Sequence, residues 1–319
     1  MPKVTVVTAT YNRADLLRRA IESVLAQTFT DWEHVIVDDG SPDETWQVIE
    51  EYQRKDPRIR GFRKGNGGVA SAMNVGLENA KGEFVCILDD DDRWLPGKLV
   101  RQVEMMEKNP ALGFVYGRMS IERNGKEVEV FPYKHRAHTM AEIFTGNYIP
   151  TLTVMMRRSC LEKIGKFNTK LRICADLDMW LRLAEKYPFD GLWEVLAIYR
   201  YPEPKQNLSA DKVRRLEEHL TIFSKIKTGK QTGVSRFLKF KRIAQDLFDL
   251  ALTYEERRQY LDAAAQYWSA IRMFPFVGIL LWWPEYDGKR FTAPSRLARP
   301  YIGMFRCVWK LAFNYMGNS

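Results

Sequence analysis

Three acidic clusters in this 319-residue chain place carboxylates close enough in sequence to act together. Asp38 and Asp39 open the run Asp38-Asp39-Gly40-Ser41, four aspartates run from Asp89 to Asp92, and Asp176 and Asp178 stand two apart at the head of an amphipathic stretch. Four adjacent carboxylates repel one another and call for a cation. Hard oxygen donors suit Mn²⁺ or Mg²⁺, which keep water and phosphate oxygens in their shell. Such an ion would also neutralise a departing diphosphate. Helix capping by Asp91 or Asp92 ahead of Trp94-Leu95-Pro96 accounts for one aspartate and not for four. Asp39 can accept a hydrogen bond from a nucleobase or ribose, but Asp-Gly-Ser-Pro also makes a turn on its own. Gly65-Asn66-Gly67-Gly68 fits neither GxGxxG nor GxxxxGK[ST] and reads as a plain loop. The four histidines form no constellation. The four cysteines are scattered without metal-ligand spacing, which points to reduced thiols.

The elements that must carry these clusters alternate. Val4–Thr10 is a β-branched run, and Asp15 can cap a helix reaching Gln27. A strand at 34–37, a helix at 43–54, a strand near 59–62, a helix at 69–79 and a strand at 84–88 follow. Near-continuous apolar strands between helices imply a mostly parallel sheet covered on both faces. Right-handed crossovers bring the strand C-termini to one edge, where ligands bind in such sheets. Asn124-Gly125 signals a hairpin between 116–123 and 126–131. Ala175–Lys186 is an amphipathic helix, and helices are expected at 235–251 and 254–273.

Charge is distributed unevenly. The net +9 arises wholly from residues 225–319, which hold 16 basic and 7 acidic side chains and 18 of the 40 aromatics. The chain therefore divides into a neutral body, 1–224, and a basic, aromatic helical extension, 225–319. Cationic charge beside aromatics in 235–319 suits an anionic membrane surface, while packing on protein is the competing reading. No RNA-binding signature appears, so nucleic acid is not an expected partner. The longest apolar run, Phe274–Trp283, contains Pro275 and falls short of the roughly 20 residues a spanning helix needs. The opening residues run directly into a strand pattern, so no cleavable leader is expected.

Five stretches in register resemble the inverting glycosyltransferases of family 2, which have the GT-A fold, a Rossmann-like mixed α/β sheet that binds a nucleotide-diphospho-sugar. They are Thr8-Ala9-Thr10-Tyr11-Asn12-Arg13, Val37-Asp38-Asp39-Gly40-Ser41, Gly67 to Asn74, Leu88 to Asp92 with Trp94-Leu95-Pro96, and Ala175 to Leu183. Together they cover about 1–205. The resemblance implies that Thr8, Ala9 and Tyr11 line the base pocket and that Arg13 meets the phosphates. It implies that Asp39 accepts from the base and that Asn74 lies near the pyrophosphate. Asp89 and Asp91 match the metal-binding signature, with Asp89 toward ribose or metal-bound water, Asp91 the direct ligand and Asp90 facing the donor sugar or ribose. Asp176 matches the catalytic base, although a first-turn acid is also simply favourable at a helix start.

An inverting transfer needs a base on the acceptor side and charge stabilisation at the leaving diphosphate, and these assignments supply both. The implied partners are a nucleotide-sugar donor, UDP in the first instance, and a glycan or lipid-linked acceptor. The implied location is cytoplasmic, peripheral on the inner face of the membrane, and an oligomer is compatible with the sequence. Three positions depart from the pattern. Ala175 replaces an acid before the base, Met73 replaces an arginine before Asn74, and no histidine follows Tyr199-Arg200-Tyr201. They leave open a catalytically impaired, membrane-associated partner subunit. A nucleotidyltransferase is a further alternative, which would need no acceptor-side carboxylate.

Overall fold

A computed structural model describes residues 1–132, 137–146, 149–201, 211–273, 301–304, 306–308 and 310. The chain divides into two compact units, Met1–Asn207 and Leu208–Ser319. The body expected to reach 224 thus gives its last helix to the second unit.

The first unit begins with the expected alternation: β1 (Val4–Thr10), α1 (Ala14–Leu25), β2 (Trp32–Asp38), α2 (Thr45–Lys55), β3 (Ile59–Arg63), α3 (Val69–Asn79) and β4 (Phe84–Ile87). There follow β5 (Arg93–Trp94), α4 (Lys98–Lys108), β6 (Phe114–Arg123), β7 (Lys126–Phe131) and α5 (Met140–Thr145). A single 3₁₀ turn (Thr151–Thr153), β8 (Met155–Arg157), α6 (Arg158–Ile164), α7 (Ala175–Lys186) and β9 (Phe189–Arg200) complete the unit. Strand order is β3-β2-β1-β4-β8-β6-β9-β5, with β7 paired to β6. The strands from β3 to β4 are parallel, β8 runs against both β4 and β6, and β5 runs against β9. The sheet is therefore mixed. Because β8 reverses between β4 and β6, the C-terminal ends of β1, β2, β4, β6 and β9 still share one edge.

The reasons are local. β1 and β2 are buried along their whole length, which is why they read as apolar runs and not as alternating ones. Gly76 lets α3 lie against β1, since a Cβ there would come within 2.2 Å of Val7 Cγ1. Asn124 and Gly125 both take positive φ, 51° and 74°, the pattern of a two-residue hairpin turn. α1 starts after Arg13 without a side-chain cap, so Asp15 sits inside the first turn and does not cap the helix. On one face of the sheet Leu17, Ile21, Val48 and Leu99 pack onto Val6, Ile36 and Phe84, all essentially inaccessible. Elsewhere Phe114 stacks on Phe189 at 4.6 Å and on Trp180 of α7 at 6.1 Å. Each such side chain contributes about 1.5–3 kcal/mol of burial, which fixes α7 and its acidic N-terminus to the sheet.

The second unit contains α8 (Lys212–Lys225), α9 (Arg236–Glu256) and α10 (Tyr260–Met273). Asp211 and Ser235 cap α8 and α9 through the Arg214 and Leu238 N–H groups. α9 runs past the expected stop at 251, because Ala251 and Thr253 continue its buried stripe. The chain breaks at Arg258, whose φ is +62°. Phe248 meets Tyr267 edge-on at 5.6 Å between α9 and α10. Phe237, Phe240 and Trp268 remain exposed. The Phe274–Trp283 run lies outside the described residues. Among the described residues, no helix is long and apolar enough to cross a membrane. All four cysteines are free and buried.

Candidate active site

The shared edge gathers the acidic clusters. Backbone hydrogen bonds lock them in place: Asp39 N–H donates to the Thr10 carbonyl at 2.9 Å and Leu88 N–H to the Val7 carbonyl at 3.0 Å. The loop after β1 hangs from α2 and the turn before it. Asn12 N–H donates to Ser41 Oγ at 2.9 Å, and Arg13 N–H to Thr45 Oγ1 at 3.1 Å. Thus anchored, Arg13 extends its guanidinium to the tetrad, with Nη1 2.9 Å from both Asp90 Oδ1 and Asp91 Oδ2.

The four aspartates have separate environments. Burial, then repulsion from Asp91, Asp90 and Asp176, pushes Asp89 up to about 7. Burial and Asp91 push Asp90 up to about 6 against the opposing pull of Arg13. Asp92 is buried and its pKa is also pushed up, by burial first, while its Oδ1 accepts the Arg200 N–H at 2.9 Å. Asp92 therefore ties the tetrad to the end of β9, while Asp91 remains partly open. Carboxylates crowded until their pKa values rise are a frequent mark of a functional site. Their hard oxygens fit a divalent cation, which would hold them ionised as Arg13 now does in part. Among the described residues no three His, Cys, Asp or Glu side chains form a ready cage. An ion at Asp91 would thus complete its shell with diphosphate and water.

Asp176 stands in the first turn of α7, and its charge helps to raise the Asp89 pKa. Its Oδ2 accepts the Thr151 hydroxyl at 2.9 Å and its Oδ1 the Leu177 N–H at 2.7 Å. Asp178 is occupied differently. It holds Arg182 at 2.8 Å, and Arg182 clamps the carbonyls of Ile164 and Lys166, each at 2.9 Å. The two acids of α7 thus separate into one whose charge is felt at the tetrad and one that fixes a loop.

The remaining expected residues are distributed unevenly. Tyr11 is 46% exposed at the rim, and Ala9 ends near it on β1. Thr8 is fully buried, with Oγ1 2.9 Å from Nε2 of His34, whose pKa burial drops to about 3. The Thr8 side chain is therefore turned into the sheet. Asp39 has its carboxylate taken up by the Gly67 and Gly68 N–H groups and by Lys64 Nζ at 2.6 Å. The glycine turn read as a plain loop is thus bound directly to the site. Asn74 lies apart from the tetrad's hydrogen bonds: its Nδ2 donates to the Phe167 carbonyl at 3.0 Å and its Oδ1 accepts the Phe167 N–H at 2.8 Å. Two supporting contacts had no sequence signal. Thr151, in an irregular stretch, orients Asp176, and the Trp94 indole N–H steadies that stretch through the Leu152 carbonyl at 2.7 Å.

A family model, "Glycosyl transferase family 2", matches residues 5–165, which include the tetrad and the Asp38-Asp39 turn. The chain belongs to glycosyltransferase family 2. Family 2 enzymes transfer a sugar from a nucleotide-sugar donor, and the match covers Arg13, Asp39, Asn74, the tetrad and Thr151 of the site described above, while Asp176 lies beyond it. The putative teichuronic acid biosynthesis glycosyltransferase TuaG of Bacillus subtilis (strain 168) is 36% identical over 202 residues, 62% of this chain and 79% of its own. In fold the chain is similar to S. aureus TarS 1-349 in complex with UDP-GlcNAc. That match has a TM-score of 0.67 and 19% identity, covering 99% of this chain and 92% of that one. It is also similar to the mannosyltransferase PcManGT of Pyrobaculum calidifontis in complex with GDP-Man and Mn²⁺. There the TM-score is 0.58 and the identity 22%, over 97% and 88% of the two chains. The likeness extends through the helical C-terminal part and supports the GT-A assignment.

Proposed function

We propose that this family 2 enzyme moves a sugar from a UDP-sugar to a hydroxyl of a glycan or lipid-linked acceptor, inverting the anomeric centre. The observation that carries the reading is the buried tetrad, held by Arg13 and by the Arg200 N–H, together with an Asp176 fixed by Thr151 whose charge is felt at Asp89. It supports a general base and a diphosphate-side cluster acting on one reacting centre. Asp176, oriented by Thr151, takes the acceptor proton. Tyr11 offers its exposed ring to the base, beside Ala9 on β1. Asp39 turns an oxygen to the base once Lys64 releases it, and Arg13 transfers from the tetrad to the phosphates as the nucleotide enters. Mn²⁺ or Mg²⁺, held by Asp91 with Asp89 behind it, would stabilise the charge on the leaving diphosphate. UDP is favoured by the TarS likeness, and a polymer acceptor by the resemblance to TuaG.

The second unit supplies a place to work. Arg236 and Lys241 flank the exposed Phe237 and Phe240 on α9, an arrangement that suits the anionic inner leaflet and a lipid-linked acceptor. Met73 and Ala175, the departures that kept an impaired subunit in view, are both buried. A charge at either position would need its own buried partner.

The test is Asp176→Asn, assayed for transfer and for nucleotide binding. Transfer is expected to fall by a factor of about 10²–10⁴ with nucleotide affinity unchanged. Turnover equal to wild type would remove Asp176 as base, whereas no transfer by wild type itself would favour the non-catalytic reading.

A further inference from the structure

We propose that the groove between α1 and β5 is an anion subsite that seats a carboxylate or phosphodiester of an extended acceptor chain. The proposal rests on the glycosyl-transfer reading above and adds the chemical class of the acceptor. The groove encloses about 490 Å³, within the range of ligand sites. Arg18 and Arg19 of α1 and Arg93 of β5 bring three guanidiniums to its lining, against one carboxylate, Glu22. Glu22 is itself occupied by the Tyr52 hydroxyl at 2.5 Å. The other counter-charges sit outside the lining. Glu51 pairs with Arg18 at 2.7 Å, and Glu122 is shared by Arg19, at 3.3 Å, and Arg93.

Arg19 and Arg93 each meet Glu122 through one terminal nitrogen, and no other acceptor faces them among the described residues. A guanidinium carries five N–H donors, so most of each fork is available to a ligand. The side chains are accessible, at 42% for Arg19 and 34% for Arg93. Trp94, Leu95, Pro96 and Ile198 form the apolar wall against which a sugar ring can lie. That wall is rigid: Trp94 N–H bonds Ser23 Oγ at 3.1 Å, and the Leu95 carbonyl accepts Gln27 Nε2 at 2.8 Å.

The position is informative. Arg93 follows Asp92 directly, and its register partner on β9 is Ile198, two residues before the Arg200 N–H that holds Asp92. Trp94 also braces the stretch that orients Asp176. The groove is thus joined to the tetrad through consecutive residues of one segment, and a part of the acceptor distal to the reacting hydroxyl would lie there. Planar, bidentate recognition of carboxylate or phosphate is the chemistry that arginine forks supply.

Calorimetry without donor tests the subsite with three tetramers: galacturonic acid, glycerol phosphate and, as neutral control, maltotetraose. Binding of at least one charged tetramer and not of maltotetraose is expected, and the one that binds identifies the anion. Arg19→Gln and Arg93→Gln should each weaken it about tenfold, and added salt should weaken it in wild type. Glu122→Gln removes the internal competitor and should tighten it, a gain that a merely structural ion-pair network cannot give. Equal behaviour of charged and neutral chains, or unchanged affinity in all three variants, overturns the proposal. UDP titrated into the same samples separates the two levels. Normal UDP binding with no anion effect refutes the subsite alone, whereas absence of any nucleotide binding refutes the transferase reading beneath it.

Discussion

Arg13 Nη1 lies 2.9 Å from Asp91 Oδ2, so the carboxylate proposed to hold a divalent ion already has a cationic partner from the chain itself. The same nitrogen serves Asp90 at an equal distance. Arg13 therefore offsets part of the repulsion within the tetrad and would compete with a metal bound as proposed. Removing it should make the site more receptive to the ion alone. Arg13→Ala is expected to bind Mn²⁺ without nucleotide about tenfold more tightly than wild type, measured by the paramagnetic resonance of free Mn²⁺. Equal binding would show that Arg13 and the ion do not share the same oxygens.

With Asp176 as the proposed base, Thr151 would act as a positioning residue through its hydrogen bond to Asp176 Oδ2. Thr151→Val keeps the shape and removes the donor. A bond to the ionised form favours that form, so losing it should lower kcat about tenfold and move the acid limb of the pH–rate profile to higher pH. A lowered kcat with an unmoved profile would mean that Thr151 serves structure only.

Asn74 pins Phe167 through two reciprocal backbone bonds and so steadies the segment that leads into α7. Asn74→Ala should reduce stability by about 1–3 kcal/mol in denaturant unfolding and lower kcat, with the donor KM unchanged. A raised donor KM with intact stability would restore the contact with the pyrophosphate that the family pattern implies.

The order of strands and helices up to β4 was legible because buried parallel strands are short apolar runs between amphipathic helices. The tetrad was legible for a different reason, since four adjacent carboxylates have no bland explanation. What could not be read arises from contacts distant in sequence. β8 is three residues long and antiparallel, and it takes its place only by pairing with β4 and β6. Arg13 and Asp90 are 77 positions apart, so their pairing follows from the fold and not from either motif. The engagement of Asp39 with Lys64 and the glycine turn depends on Gly40, whose φ of +82° bends the chain back toward that loop. The helix break at Arg258 was expected too early, after 251, because the buried stripe of α9 runs on through Ala251 and Thr253.

Lys98 gives the pH dependence that follows from burial. It is inaccessible to solvent, donates to Gln102 Oε1 at 2.7 Å and lies 3.8 Å above the Trp94 ring. Burial lowers its pKa from 10.5 to about 8. Between those values the unfolded chain binds more protons than the folded one, so the stability Lys98 contributes rises with pH across that window and is flat below it. Relative to Lys98→Met, wild type should gain up to about 3 kcal/mol between pH 7.5 and 10.5, read from urea unfolding at each pH. A difference independent of pH would place the ammonium in contact with water.

Titration of UDP into wild type and Asp91→Asn, each with and without Mn²⁺, reads the tetrad's function most directly. Wild type is expected to bind UDP at least about tenfold more tightly with Mn²⁺, and Asp91→Asn to bind it equally weakly in both conditions. Wild-type affinity indifferent to Mn²⁺, or an Asp91→Asn variant that keeps the full gain, would contradict a metal-assisted diphosphate site at Asp89–Asp92.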